Sequence, residues 1–375
     1  MILFGDTLYG TTFTGGNSGN GTVFTLKTNG TGFTNLHTFT SFFSYINGDG
    51  ANPHASLLLS GDTLYGTAQN GGALGSGTVF KLNTNGNGFA VLYTFTARSA
   101  SNYTNSDGAY PWAGLILSGN TLYGTTGGGG FTNYGVLFRV NIDGTAFTNL
   151  YNFGSAPAGT LILSSNTFFG TASDGGLGYG AVFKINTNGT GFTNIYKFTV
   201  PNNNASSVRT NIDGVFPIGG LILSSNTLYG TTASGGREGG GTVFALNSNG
   251  KAFTNLHSFV HSSTDGANPY AGLILSGNNL YGTTIGGGLS PNYGTVFSLP
   301  LPQPPQPPQL TIIYSGSSII LTWPTNYAGF TLQSTTNLFS PVLWNTVSPG
   351  PVIVNQQYAV LSIPSLPQQF YRLIK

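Results

Sequence analysis

The sequence predicts an all-β protein: a six-bladed β-propeller of four-stranded antiparallel blades, followed by a small β-sandwich. Three observations predict it. A unit of about 50 residues recurs six times, each unit holds four short apolar or alternating runs separated by Gly, Asn and Ser, and no stretch has helical periodicity. A β-solenoid is the alternative, but the repeats of solenoids are usually shorter.

Each repeat is marked by an aromatic residue in an NTLYGTT-like segment. The markers are 56, 58, 46, 60 and 52 residues apart. A GTVF-like run follows each marker, then an Asn-Gly or Asp-Gly turn and an FTNLYTF-like run, and an AGLILS-like run precedes the next marker. The markers are Tyr9, Tyr65, Tyr123, Phe169, Tyr229 and Tyr281.

The turns of the repeat predict how its strands connect. Pairs such as Asn29-Gly30 accept positive φ at both turn positions, which favours tight hairpins between the third and fourth strands. The sixth unit ends after its third run, so five units of four strands and one of three give 23 strands. Either one blade has three strands, or the chain is the remainder of a longer product that has lost a secretion signal.

Composition shifts divide the chain into three parts. Residues 1–299 hold the six repeats, and residues 300–309 form a Pro/Gln-rich linker of extended polyproline II type. Residues 310–375 alternate apolar and polar positions again, which predicts a sandwich of the immunoglobulin or fibronectin type. Trp323 and Trp344 are the expected centre of its core.

Charge and cysteine content exclude several classes of protein. The 375 residues include 11 Lys+Arg and 9 Asp+Glu, a net charge of +2, which leaves no basic surface for nucleic acid. No apolar run approaches the roughly 20 residues of a membrane-spanning helix. The absence of cysteine excludes disulfides, thiolate metal sites and cysteine nucleophiles. The oligomeric state is left open.

The repeat as a whole resembles a known bacterial family. The pattern LYGTTxxGGxxGxGTVFxLxxxGxxFTxLYxF, preceded by DGAxPxAGLIL, is similar to the GloVer tandem repeat of Verrucomicrobia-type proteins. The tail, with LTWPTNYAGFTLQSTTNL, is similar to C-terminal sandwich modules of the same bacteria. The resemblance implies a secreted or cell-surface protein and implies no defined activity. The fourth unit departs from the pattern, because it lacks the Asp-Gly element and has Phe169 in place of tyrosine.

A repeated DGxxP element supplies four of the nine acidic residues, on the long-loop face and, by expectation, near the central channel. Carboxylates and loop carbonyls are ligands for Ca²⁺, which is the one cofactor that the sequence suggests. An Asp that caps a turn before Gly is the alternative, and recurrence in several repeats favours it. The aspartates are Asp49, Asp107, Asp213 and Asp265.

The residue after the proline of that element changes from repeat to repeat while its neighbours stay nearly fixed. It should lie at the mouth of the channel, where a set of different side chains is typical of a pocket rim. Indifferent variation at an exposed position is the alternative. The residues are His54, Trp112, Ala158, Ile218 and Tyr270.

Aromatic residues in the long loops form a third candidate set. Tyr110 and Tyr134 are the two that we assign to the ligand site, where aromatic faces beside Asn and Gly can stack on sugar rings. Packing of the loops on each other is the alternative. The other members are Phe42, Phe43, Tyr45, Tyr103, Phe131, Tyr179 and Tyr293.

The sequence shows no catalytic motif of a known hydrolase or phosphate-binding loop. His37 and His257 replace the tyrosine of the fourth strand and are expected to be structural. His54 and His261 remain as candidate bases, and His54 could pair with Asp107 or Asp265.

Three functions follow. The leading hypothesis is a secreted or cell-surface binding or adhesion protein, with a glycan or small neutral molecule at the channel mouth. The second is a Ca²⁺-dependent propeller hydrolase such as a lactonase, by analogy of fold alone. The third is a structural surface or matrix protein.

Overall fold

The computed structural model describes residues 1–375 except 204–208, 261, 263, 290–292, 303–307, 327 and 364–367. The described part forms strands, turns and loops and contains no helix, which confirms the all-β class. No helix that could cross a membrane is therefore found among these residues. The chain divides into two compact units, Met1–Leu301 and Pro302–Lys375. Half of the predicted linker, 303–307, lies outside the described residues.

The first unit repeats one antiparallel sheet. Its six sheets, numbered sheet 1 to sheet 6 in chain order, have four strands each except sheet 6, which has three. Strands adjacent in the chain are adjacent in each sheet, so the predicted repeat of four-stranded antiparallel sheets is confirmed.

The strands of sheets 1 to 3 are β1 (Ile2–Phe4), β2 (Thr7–Thr12), β3 (Thr22–Lys27) and β4 (Thr34–Thr38); β5 (Leu58–Ser60), β6 (Thr63–Ala68), β7 (Thr78–Asn83) and β8 (Ala90–Thr94); β9 (Ile116–Ser118), β10 (Thr121–Thr125), β11 (Val136–Asn141) and β12 (Thr148–Asn152). Sheet 4 comprises β13 (Ile162–Ser164), β14 (Thr167–Ala172), β15 (Ala181–Asn186) and β16 (Thr193–Lys197). A two-stranded hairpin, β17 (Asn202–Asn203) and β18 (Arg209–Thr210), precedes sheet 5. Sheets 5 and 6 comprise β19 (Ile222–Ser224), β20 (Thr227–Thr232), β21 (Thr242–Asn247) and β22 (Thr254–Ser258), then β23 (Ile274–Ser276), β24 (Asn279–Thr284) and β25 (Thr295–Pro300).

Consecutive sheets pack face to face, which makes the first unit propeller-like. Each buried cluster of this unit joins two sheets that follow each other in the chain. Phe39 of sheet 1, for example, meets Phe80 of sheet 2 edge to face at 5.4 Å. The proline of each DGxxP element packs at the same interface, against a glycine of the preceding repeat. For example, a Cβ on Gly77, which has φ +101°, would lie 2.6 Å from Cδ of Pro111. Glycine is required at that point because both its backbone conformation and the proline exclude a side chain.

Sheet 6 and sheet 1 do not share a buried cluster among the described residues. Val296 of sheet 6 is 82 % exposed, whereas the equivalent Val243 of sheet 5 is fully buried against sheet 6. At the other end, Leu3 of sheet 1 is 60 % exposed. Both end sheets therefore present to solvent the faces that inner sheets bury.

The turn between the third and fourth strands differs from the prediction. Gly30 has φ +82°, but Asn29 is not in the left-handed region. Oδ1 of Asn29 instead accepts hydrogen bonds from the backbone N–H and the hydroxyl of Thr31, at 3.0 and 2.8 Å. The prediction of positive φ at both positions was wrong, because the Asn side chain stabilises the turn through its own hydrogen bonds.

The second unit contains two antiparallel sheets. One is four-stranded in the order β26 (Thr311–Ser315), β27 (Ser318–Pro324), β31 (Gln357–Ser362) and β30 (Val352–Val354). The other is three-stranded in the order β29 (Asn345–Thr346), β28 (Thr331–Thr335) and β32 (Phe370–Ile374). The described residues thus form eight sheets of three or four strands, six in the first unit and two in the second.

The core of the second unit contains only one of the two predicted tryptophans. Trp323 is 1 % exposed and packs with Leu321 and Leu332. Trp344 lies outside that cluster, where the guanidinium of Arg372 stacks 4.2 Å from its ring. Trp344 therefore covers the unit from outside the core, contrary to expectation.

Candidate ligand-binding site

The variable residues after the DGxxP prolines come together in one cavity. His54, Trp112, Ala158, Ile218 and Tyr270 all line it, and each comes from a different repeat. The cavity, which we call the central cavity, has a volume of about 370 Å³. That volume lies within the range of small-molecule sites, roughly 300–1,000 Å³.

Small residues at the start of each first strand allow this convergence. A Cβ on Gly159 would lie 2.5 Å from Cα of Gly220, and one on Gly219 would lie 2.7 Å from the carbonyl oxygen of Ala271. The backbones of sheets 4, 5 and 6 therefore meet where the AGL-type segments begin. Any larger residue there would separate the strands and open the cavity wall.

Trp112 is held in a fixed orientation at the cavity wall. Its indole Nε1 donates a hydrogen bond of 3.1 Å to the carbonyl oxygen of Pro157 in the next repeat. Its ring covers Gly127, where a Cβ would lie 2.7 Å from Cε2. Tyr270 faces the same cavity and is 44 % exposed. Two aromatic faces, one of them fixed in place, are thus available to a bound molecule.

The described residues that line the central cavity include no carboxylate, ammonium or guanidinium group. His54 is the one imidazole among the lining side chains. The ring of Phe13 meets that of His54 edge to face at 5.9 Å. Among the described residues His54 has no hydrogen bond to Asp107 or Asp265, whose carboxylates bond elsewhere. The arrangement is suited to an uncharged ligand.

The four aspartates lie against the outer strands and not in the central cavity. The carboxylate of Asp107 accepts hydrogen bonds from the Tyr93 hydroxyl at 2.7 Å and from the N–H and hydroxyl of Thr96. Asp213 is held in the same way by Tyr196 and Thr199. The expectation that these residues lie near the channel was wrong, because the loop that carries them folds back onto the end of the fourth strand.

Histidine replaces tyrosine in two of these contacts. Nε2 of His37 donates to Asp49 at 3.0 Å, and Nε2 of His257 donates to Asp265 at 2.7 Å. Burial raises the pKa of Asp49, but the hydrogen bonds from His37 and Thr40 outweigh it and hold that pKa below its ordinary value. Both histidines therefore have a structural partner.

The tyrosines of the same contacts are shifted in the opposite sense. Burial, followed by the hydrogen bond to the Asp107 carboxylate, raises the pKa of Tyr93 above its ordinary value. Burial and Asp213 raise the pKa of Tyr196 in the same way. The carboxylates accept these hydrogen bonds, and no cluster of three or more His, Asp or Glu side chains suited to a metal is present among the described residues. The aspartates have a structural role, but not the predicted one of capping the turn before Gly, because Oδ1 of Asn105 and Asn211 accepts from the Gly108 and Gly214 N–H groups instead.

The two loop tyrosines lie apart from the central cavity. Tyr110 lines a second groove of about 590 Å³ with Tyr45, Arg98 and Tyr103, and the Arg98 guanidinium lies 4.4 Å from the Tyr110 ring centre. Tyr134 is 45 % exposed and lines neither cavity. The structure therefore separates both from the ligand site to which the sequence assigned them. His261 lies outside the described residues.

Sequence reasoning missed the polar backbone and hydroxyl groups of the cavity. Thr160 Oγ1 accepts a hydrogen bond from the Gly114 N–H at 2.9 Å, and Thr171 Oγ1 donates to the Gly219 carbonyl at 3.2 Å. These threonines tie the inner strands of neighbouring sheets around the cavity. The repeated Thr of the YGTT segment, here Thr171, was the sequence signal for such a contact. The carbonyl group to which its hydroxyl donates depends on how two sheets pack, which the sequence does not show.

The sheets and the cavity define the class of this molecule: a propeller-like all-β repeat protein with an uncharged central cavity. The chain belongs to the Gloeobacter/Verrucomicrobia repeat family, whose model matches residues 1–105, 96–210 and 154–336. The resemblance of its repeat to that family is thereby confirmed.

Solved structures match the chain at low sequence identity. One chain of a nidogen/laminin complex is 14 % identical, with 74 % of this chain and 84 % of that chain covered and a TM-score of 0.45. A Bacteroides fragilis protein, described as a 6-phosphogluconolactonase on provisional grounds, is 15 % identical, with 98 % of both chains covered and a TM-score of 0.44. No curated protein matches the chain.

Proposed function

We propose that the protein binds a neutral glycan or another small uncharged molecule in the central cavity, outside the cell or at its surface. One observation carries the proposal: the variable position after the DGxxP proline, whose neighbours are nearly fixed, places five different side chains around one cavity. Equivalent positions of such a repeat meet in any case, so the support comes from the difference among the five side chains, which is typical of a site that contacts unlike parts of one ligand. The resemblance of the repeat to bacterial surface proteins supports the location.

The chemistry of the cavity favours a ligand with both apolar and hydroxyl groups. Trp112 and Tyr270 offer aromatic faces on which the C–H groups of a sugar ring can pack. Thr160 and Ser173 offer hydroxyls, and the glycines expose backbone polar groups. A few polar groups in an otherwise apolar lining are typical of sites that orient a small molecule.

We also propose that sheets 1 to 6 are the blades of a six-bladed propeller and that the second unit is a β-sandwich. Five of the six inter-sheet contacts of such a ring are formed by buried clusters. In the second unit, one cluster combines Leu321 and Val360 of the first sheet with Leu332 of the second, as facing sheets require.

Titration calorimetry with a panel of neutral mono- and oligosaccharides tests the binding proposal. Trp112→Ala and Tyr270→Ala should each weaken binding about tenfold or more, because each removes a large apolar contact worth about 1.5–3 kcal/mol. Phe131→Ala is the matched control, since Phe131 is a 71 % exposed loop aromatic outside the central cavity. Binding that is absent from the whole panel, or that both cavity variants leave unchanged, would contradict the proposal.

A further inference from the structure

Each of the first five repeats has an equivalent phenylalanine immediately before its fourth strand, and in repeats 2 to 5 this residue fills a slot between neighbouring sheets. It lies three residues after the turn glycine and stacks on the phenylalanine of the third strand of its own sheet at 5.5 to 5.7 Å between ring centres. In four repeats it also stacks on the His or Tyr of the preceding sheet's fourth strand, at 3.7 to 4.9 Å. The slot phenylalanines are Phe89, Phe147, Phe192 and Phe253, whereas the equivalent Phe33 of sheet 1 has no preceding sheet and is 60 % exposed.

No phenylalanine among the described residues fills the slot between sheets 5 and 6. Its walls are present: His257 and Phe259 of sheet 5, and Phe297 on β25 of sheet 6. Among the described residues, Phe297 has a ring contact with Phe259 alone, and no ring stacks on His257 apart from that same Phe259. A cavity of about 310 Å³ lies between these side chains. For comparison, an engineered apolar cavity of about 150 Å³ already holds benzene.

Two equivalent histidines differ in exposure because a phenylalanine ring covers one of them and not the other. The side chain of His37 is 18 % exposed under the ring of Phe89, which lies parallel to it at 3.7 Å. The side chain of His257 is 35 % exposed. Both make the same hydrogen bond to an aspartate, so the difference comes from the absent ring.

The edge of sheet 6 is also unpaired where that phenylalanine would enter. In sheet 5, β21 pairs with β22 through Phe244–Asn255 and Ala245–Thr254. In sheet 6, β25 pairs with β24 and with no other described strand. Phe297 and Ser298 are the counterparts of Phe244 and Ala245. A free strand edge beside an empty aromatic slot is the arrangement that strand addition uses.

We propose that the free edge of β25 binds an extended segment of another polypeptide, with the outer-strand pattern G-x-x-F-T-N-L. The segment pairs antiparallel with β25, and its phenylalanine enters the slot between His257 and Phe297. Repeats 2 to 5 set both the register and the residue type, because each fills the equivalent slot with its own phenylalanine. The Asp265 carboxylate at the slot is already bonded to His257 and the Val260 N–H, so the segment needs no cation to pair with it.

A synthetic peptide with the sequence of residues 250–259, GKAFTNLHSF, tests the proposal on the full chain. We expect saturable binding by fluorescence anisotropy and slower hydrogen exchange of the β25 amides. The same peptide with Ala at the Phe253 position should bind about tenfold or more weakly. Equal binding of the two peptides, or no protection of β25, would overturn the proposal.

A variant of the protein separates edge pairing from other modes of peptide binding. Ser298→Pro removes a backbone N–H from β25, and proline is tolerated on an edge strand. It should abolish peptide binding, whereas Ser298→Ala, which keeps the N–H, should bind as the parent does. If the chain alone forms a dimer that Ser298→Pro dissociates, the occupant is a second copy, and the proposed peptide partner is wrong.

Discussion

The hydroxyl of Tyr93 donates a hydrogen bond of 2.7 Å to the carboxylate of Asp107, which joins the outer strand of sheet 2 to the loop that leads into sheet 3. The loop then passes to Pro111 and Trp112 and so to the central cavity. The same contact recurs with His37 and Asp49, Tyr196 and Asp213, and His257 and Asp265. In these four repeats, the hydrogen bond holds the loop that carries the cavity residue, from a point outside the cavity.

Removing the Tyr93 hydroxyl should destabilise the first unit. Tyr93→Phe leaves the largely buried Asp107 carboxylate without one donor, at a cost of about 1–3 kcal/mol in the free energy of unfolding. Tyr93→His should lose less, because His37 makes the equivalent contact with Asp49. Urea denaturation of the three proteins measures the difference. A Tyr93→Phe variant as stable as the parent would show that Asp107 does not depend on this bond.

The lowered pKa of Asp49 predicts a loss of stability in acid. The hydrogen bonds from His37 and Thr40 hold the pKa of folded Asp49 below its unfolded value of about 3.9, so its contribution is fully present above that value. It is lost as the pH falls through the folded pKa. Thermal unfolding of the parent between about pH 7 and pH 2 should therefore show a drop below about pH 4.

Asp49→Asn is the control for the acid transition. It should be less stable than the parent at neutral pH and should lose less on acidification, because the titrating group is gone. Parallel curves for the two proteins would assign the acid transition to other groups.

Replacing two serines at strained turn positions with glycine should stabilise the protein. The first of the two turn residues between the first and second strands has φ of about +56 to +60° in Gly5, Gly61, Gly119 and Gly277, but Ser165 and Ser225 adopt φ +53° there. A side chain in this region costs about 1 kcal/mol. Ser165→Gly and Ser225→Gly should each raise the free energy of unfolding by about that amount.

The effects of the two serine variants should add, since they lie in different sheets. Ser164→Gly, within β13, is the control and should destabilise by about 0.5–1 kcal/mol. Denaturant midpoints that fall for the turn variants would show that these serines are not strained.

A glycine behind Trp112 provides a test of the cavity that leaves its lining residues unchanged. A Cβ at Gly127 would lie 2.7 Å from the Trp112 ring, so Gly127→Ala must displace that ring. We expect affinity for the ligand to fall about tenfold, which corresponds to about 1.4 kcal/mol. Gly154→Ala is the control, because a Cβ there meets no atom within 4 Å. Unchanged affinity in Gly127→Ala would argue that the Trp112 ring does not contact the ligand.

Much of this fold can be predicted from the sequence because the same pattern of strands and turns recurs in six repeats. The alternating runs and turn glycines predict the strands and their order. The variable position after Pro53 and Pro111 predicts the cavity rim, because neighbours that are nearly fixed place it at the same point of each sheet.

The predictions that were wrong concern side chains whose contacts are made with residues distant in the sequence. The sequence shows Asp107 beside a turn but not that the loop folds back onto Tyr93. Tyr110 precedes the cavity residue Trp112 by two positions, yet φ of +60° directs it into the groove with Arg98. Trp344 is apolar enough for a core, but it stacks on Arg372 outside the cluster. In each case the outcome depends on tertiary contacts that no local pattern records.

The fluorescence of Trp112 tests the central claim most directly. In a chain with Trp323→Phe and Trp344→Phe, Trp112 is the only tryptophan left. Titration with a neutral glycan that binds the parent should change its emission saturably, with the same dissociation constant that calorimetry gives. A glycan that binds by calorimetry while the emission of Trp112 stays constant would contradict the assignment of the central cavity as the ligand site.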